Sequence, residues 1–215
     1  MKHEALILIL AVFFLSCQNT SKQAETEVVN ENDSLLTDTT DTFKVKTESA
    51  VPVHAVLALT SNALQVVNQP SGSTRDIPMG MEMDKVLEVV SKVLADEIPE
   101  PQVNTECGAG PMTMSVFNNG LVLMFQKPRG NQAKLEFVGW SLSKSRNDSK
   151  LITMANIGIG STRAELQSAY TVAIKKTSLG MEFATIPGGL YGIIDGPSES
   201  GKISFMWSGL SCNFR

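Results

Sequence analysis

The chain has 215 residues, 42% of them apolar, so it has the material to bury the core of one ordinary domain or of two small ones. Its formal net charge of −4 is already accounted for by residues 18–50, where seven acids (Glu25, Glu27, Glu31, Asp33, Asp38, Asp41, Glu48) face three lysines (Lys22, Lys44, Lys46). Residues 51–215 balance fourteen acids against fourteen bases. A neutral domain with scattered bases lacks the positive footprint that nucleic-acid binding requires.

At the front, Lys2 is followed by an apolar run, residues 5–15, that ends at Ser16-Cys17. The run is too short to span a bilayer and has the layout of a signal peptide. The ending Phe14-Leu15-Ser16-Cys17 resembles a bacterial lipobox, with Phe14 where Leu is usual. That resemblance makes residues 1–17 a lipoprotein signal peptide with a lipidated Cys17, palmitate among its acyl chains. Several chains together give stable anchoring where one would not. Gln18 follows the cysteine, where Asp would retain a Gram-negative lipoprotein at the inner membrane, so the outer membrane is favoured, with the domain facing the periplasm or the cell surface. The plainer alternatives are a cleaved signal with an incidental Cys17, or an uncleaved anchor. Residues 18–50, polar and without a period of 2 or 3.6, read as a disordered acidic linker.

Two stretches within the remainder resemble each other. Residues 77–90 (IPMGMEMDKVLEVV) align with 157–170 (IGIGSTRAELQSAY), each an extended segment, a glycine turn and an amphipathic helix. Thr162 and Glu165 have capping-box spacing, and Glu82 and Asp84 stand in the first turn of the earlier helix. Downstream, residues 112–125 (MTMSVFNNGLVLMF) align with 181–194 (MEFATIPGGLYGII), two extended runs about an Asn-Gly or Gly-Gly turn, the pattern of a hairpin. Residues 135–140 and 203–207 read as a third strand in each copy. The change of offset places an eleven-residue insertion in the first copy, within residues 91–110. Residues 55–60 and 64–67 form a leading strand pair. The expected fold is therefore α+β: two repeats, each a helix plus a three-stranded antiparallel meander, with leading strands and the first repeat in 51–150 and the second in 151–215.

The pattern of glycine, small polar residue, x-x-Glu and apolar residue followed by strands, carried mainly by residues 157–170, resembles the SmpA/OmlA (BamE-like) small lipoproteins of the outer-membrane assembly machine. It also resembles the tandem fold of the β-lactamase inhibitor protein. The second resemblance implies a sheet face that grips another protein; the long loop of the first copy departs from both.

Catalytic chemistry finds little support. A cysteine nucleophile needs a base, and beyond residue 17 the one histidine is His54. The same scarcity argues against His-rich metal sites and Ser-His-Asp triads, so no metal, cofactor or catalytic residue is assigned. The stretch Cys107-Gly-Ala-Gly-Pro111 lacks the Lys-Ser/Thr ending of a phosphate loop, and Gly158-Ile-Gly160-Ser161 reads as a turn into a helix rather than an anion site. The acids Asp96, Glu97, Glu100 and Glu106 are the remaining candidates, for acid/base work on an envelope glycan. Three cysteines, less Cys17, leave Cys107 and Cys212, which an exported compartment favours joining as a disulfide.

The strands carry a second apolar face: Val122, Met124, Val138 and Trp140 in the first copy, Tyr191, Ile193 and Met206 in the second. A cover from within the chain accounts for such a face, and so does a partner. Trp140, Tyr191 and Met206 are the candidate partner residues. Lys127 to Gly130 and Ser143 to Arg146 carry positive charge at hairpin tips, which solvation explains. The expected role is a membrane-anchored, non-catalytic domain that binds or inhibits an envelope protein; the rival is a glycan-acting enzyme using the acids of 96–106.

Overall fold

A computed structural model describes residues 54–128, 130, 134–144 and 151–212. The signal peptide, Cys17 and the acidic linker lie outside the described residues.

Among these residues the chain forms twelve strands and two helices. In the first half they are β1 (Ala55–Leu59), β2 (Ala63–Asn68), β3 (Thr74–Pro78), α1 (Met83–Leu94), β4 (Gln102–Asn104), β5 (Met112–Val116), β6 (Leu121–Gln126) and β7 (Glu136–Ser143). In the second they are β8 (Ile152–Thr153), α2 (Arg163–Ala169), β9 (Val172–Thr177), β10 (Gly180–Thr185), β11 (Tyr191–Ile194) and β12 (Ile203–Gly209). The strands make two sheets. A four-stranded sheet runs β3-β2-β1-β8, with β8 parallel to β1. An eight-stranded antiparallel sheet runs β4-β5-β6-β7-β12-β11-β10-β9.

The expected α+β fold is thus corrected to a mostly β one. The helices are short, twelve and seven residues, and they precede four strands each rather than three. The strands do not close as two separate meanders. Register pairs from Phe205↔Ser143 to Gly209↔Gly139 join β12 to β7 and fuse β4 to β7 with β9 to β12 into one eight-stranded sheet. A pairing between residues more than sixty apart leaves no local signal in composition or spacing.

One core serves both halves. Leu57, Leu59, Leu64 and Ile77 of the small sheet, with Val86, Leu87 and Val90 of α1, pack with one face of the large sheet, including Leu121, Leu123, Phe125, Phe137, Leu142, Phe183, Ile194 and Ile203. Leu166 of α2 joins the same cluster. The apolar spacing of α1 puts Val86, Leu87 and Val90 on one stripe, the arrangement that buries an amphipathic helix. The Asn118-Asn119-Gly120 turn closes the β5–β6 hairpin, with Gly120 at φ 85° and Phe117 N–H donating to Leu121 O at 2.8 Å. A positive φ is what a tight hairpin asks of its glycine.

The α2 terminus is capped as its sequence suggests. Glu165 N–H donates to Thr162 Oγ1 at 3.2 Å, and Thr162 N–H donates to Glu165 Oε2 at 2.7 Å. The α1 terminus has no side-chain cap; Glu82 instead meets Lys134 at 3.1 Å and Lys85 at 3.2 Å. The Thr162 backbone N–H, then its hydroxyl, hold the Glu165 carboxyl below its ordinary value of 4.5. A depressed carboxylate contributes stability above that ordinary value and loses it as pH falls through the lower folded one. Thr162→Ala removes the cap hydroxyl but keeps the backbone N–H, so it should lower stability at neutral pH, with part of the deficit shrinking in acid; chemical denaturation at two pH values checks both.

Two β-bulges decide which side chains face the core. Met124 pairs with Gly139 and Phe125 with Phe137, so Val138 is an extra residue in β7. Ile193 pairs with Phe205 and Ile194 with Ile203, so Ser204 is an extra residue in β12. Each added residue inverts the alternation of everything beyond it. Trp140 and Met206, which strict alternation places on the outer face, are for this reason turned inward, and both are fully buried. The Trp140 indole crosses the core, and its Nε1–H donates to Thr60 O at 3.1 Å and Ala63 O at 3.2 Å in the β1–β2 turn.

Candidate functional site

The face of the large sheet turned away from the core differs between its two halves. Along β5, β6 and β7, Met112, Met124 and Cys107 are buried, with Met114, Val138 and Cys212 packed against them. The cover is the chain itself. After β12 the C-terminal strap, residues 210–212, crosses this face, with Leu210 N–H donating to Val138 O at 2.9 Å and Cys212 reaching Asn104, whose Nδ2 donates to its sulfur at 3.4 Å. Gly139 makes the crossing possible, because a Cβ there would stand 2.7 Å from Ser208 O and 2.8 Å from the Leu210 nitrogen.

The other half of the face carries an aromatic row. Tyr191 of β11 stacks on Trp207 of β12, centroids 5.8 Å apart at 21°, and Phe205 lies 5.5 Å from Trp207 at 37°. Tyr191 is register partner of Trp207, and Ile193 of Phe205. Trp207 is 7% exposed, whereas Tyr191, Ile193 and Phe205 remain half-buried. Glu182 of β10, buried, is in register with Ile193 on one side and with Lys175 of β9 on the other. A depression of about 460 Å³, with Lys176, Met181, Ile193, Asp195 and Ser204 on its walls, lies at the same end of β10 and β11.

Of the three partner residues expected from sequence, Tyr191 alone is on this face; Trp140 and Met206 belong to the core. Phe205 and Trp207 were missing from that set. Their i, i+2 spacing puts two aromatic rings on one side of a strand, a signal present in the sequence but masked until the Ser204 bulge fixes which side that is.

Of the candidate chemical groups, Asp96 and the first amides of α2 are put to structural use. Asp96 accepts from Asn118 Nδ2 at 3.1 Å and from Glu97 N–H at 2.9 Å, tying the end of α1 to the β5–β6 turn. Glu97, Glu100 and Glu106 extend into solvent. The amides at the start of α2 are already used: Arg163 N–H donates to Gly201 O at 2.8 Å and Ala164 N–H to Glu199 O at 3.0 Å. His54 is exposed, and its carbonyl accepts from Gln69 N–H at 2.9 Å. Lys127 and Lys144 are exposed, and Arg129 and Arg146 lie outside the described residues. Among the described residues no three His, Cys, Asp or Glu side chains gather as a metal site would require, and no helix is long and apolar enough to cross a membrane.

Cys107 and Cys212 come together as free thiols in contact, without a disulfide between them. Burial, and then the hydrogen bond with Cys107, push the Cys212 thiol up to about 11.

In comparisons with known proteins, no family model, no curated protein and no solved structure matches this chain.

Proposed function

We propose that this protein is a non-catalytic binding domain of the cell envelope, held to a membrane through a lipid on Cys17, that takes a protein partner on the outer face of β10, β11 and β12. The observation that carries this reading is the aromatic row Tyr191, Trp207 and Phe205 with Ile193 beside it, on the half of the face that the C-terminal strap does not cross. Tyr191 and Phe205, half-buried beside the buried Trp207, cost little entropy to immobilise and are of the residue type that anchors protein interfaces. The partner chemistry that fits is a projecting loop or turn bearing an apolar side chain, able to pack on the rings, with a polar rim to meet Lys175 and Asp195. The resemblance to the inhibitor-like tandem fold leads to the same expectation of a protein gripped by a sheet face.

A photo-crosslinking residue at position 191 or 205 of the full-length protein in living cells is expected to capture one discrete envelope protein. Placed at Lys85, on the exposed side of α1, the same group is expected to capture nothing specific. Tyr191→Ala, which shortens a half-buried ring without opening the core, is expected to weaken the complex roughly 30-fold or more, in the range of a hot-spot residue. No capture at either 191 or 205, or capture unaffected by Tyr191→Ala, would overturn the reading. Glu100→Gln and Glu106→Gln are expected to leave function intact; loss of a glycan-directed activity in folded variants would favour the enzyme instead.

A further inference from the structure

We propose that Cys107 and Cys212 are a dithiol pair that closes into a disulfide in the exported protein, fastening the C-terminal strap across the outer face of β5, β6 and β7. Four observations converge on it. Cys212 packs against the small cluster that holds Cys107, so the bond would join two side chains the fold already brings together. The segments that carry them also meet beside the pair, where Asn104 Nδ2 donates to the Cys212 sulfur at 3.4 Å. Cys107 is held in place by its own turn, with Gly110 N–H donating to Cys107 O at 2.9 Å and Gly110 at φ 95°. The pair also sits over Met112 and Met124, both fully buried, so the strap is the lid of a small apolar cluster whose other side is the sheet.

The chemistry points to a lasting bond rather than a catalytic one. Thiol–disulfide oxidoreductases keep a thiol whose acidity is raised so that the thiolate is abundant. Here burial does the opposite to Cys212, and a protonated, sheltered thiol exchanges slowly. Oxidation therefore calls for a disulfide-bearing oxidant, either a small disulfide or a protein one. One cysteine thiolate attacks a sulfur of the oxidant and releases one thiol from it. The second cysteine then attacks the mixed disulfide and releases the other. Two protons and two electrons pass from the cysteine pair to the oxidant, which leaves as two thiols. The reverse exchange, with an excess of a small dithiol, reopens the strap.

The bond would close a loop of roughly 100 residues, a length at which the constraint on the unfolded chain is large. With it open, the strap is tied down by backbone contacts such as that of Leu210 with Val138, and the methionines beneath are the surface it would uncover.

The test uses the full-length protein taken from the cell envelope, quenched in acid and alkylated in denaturant without reductant, followed by mass analysis of the peptides that carry Cys107 and Cys212. The expected result is one linked peptide pair, lighter by two hydrogens than the sum of the free peptides and unlabelled at both cysteines. Label on both thiols, a mixed disulfide at either one, or a bond between two chains would overturn the proposal. In solution, the reduced protein treated with glutathione disulfide is expected to form the same pair and to melt roughly 10 °C higher than before treatment. The double variant Cys107→Ser/Cys212→Ser is expected to melt with the reduced protein and to be unmoved by glutathione disulfide. Equal melting of the oxidised and reduced forms would overturn the fastening role even if the bond forms.

Discussion

Trp140→Ala should lose about 3 to 5 kcal/mol of stability, a fall of roughly 10 °C in melting temperature for a chain of this size. Two effects add. Removing the largest fully buried side chain leaves a cavity against Leu123 and the β1–β2 turn that a close-packed interior fills only in part. The Thr60 carbonyl also loses the indole N–H, a cost Ala63 O is partly spared because the Thr60 hydroxyl still donates to it at 2.8 Å. Trp140→Phe separates the two effects, since it keeps most of the volume and gives up only the donor; it should recover more than half of the loss. If Trp140→Ala melted like the parent and lost only partner binding, the inward placement of this residue would be wrong, and so would the register at the β7 bulge.

Gly139→Ala is expected to cost about 3 kcal/mol through one added methyl group, at the upper end of what overpacking does. The methyl would meet main chain rather than a side chain that can swing away: Ser208 O at 2.7 Å and the Leu210 nitrogen at 2.8 Å. Relief requires β12 or the strap to move off β7, and these are the contacts that join the two halves of the sheet. The variant should therefore melt at a lower temperature and expose the cluster of Met112, Met124 and Cys107 to solvent, seen as faster alkylation of Cys107 in the reduced protein. Gly108→Ala is the control: nothing lies within 4 Å of a Cβ there, and it should change stability by no more than about 0.5 kcal/mol. Equal behaviour of the two variants would mean that the strap does not cross at Gly139.

What could be read in the sequence was local. The capping pair Thr162 and Glu165, the Asn-Gly turn at residues 119–120, the leading strands and the two helices each follow from residues within a few positions of one another, and the structure has them. What escaped was nonlocal. The edge strands β4 and β9 are recognisable only once β5 and β10 are there to pair with them. The fusion of β7 with β12 depends on a register that neither strand announces. The bulges at Val138 and Ser204 did the most harm to the functional reading, because a single uncounted residue transfers Trp140 and Met206 from one face to the other. A pattern of alternation carries no mark of where it slips, so an outer face inferred from it was right for Tyr191, before the slip, and wrong for the residues after it.

The ends of the large sheet have a consequence for how copies of this molecule behave side by side at high local density. One terminal strand, β4, is three residues long and follows Pro99 and Pro101; the other, β9, carries exposed Lys175 and Lys176. Shortness, proline and lysine are the devices by which natural sheets refuse to grow by adding a strand from a neighbour. Molecules crowded side by side should thus stay separate rather than polymerise edge to edge, and a partner that binds by lending a strand is disfavoured at both ends. A partner of the proposed kind would have to come from above, onto the flat of the sheet.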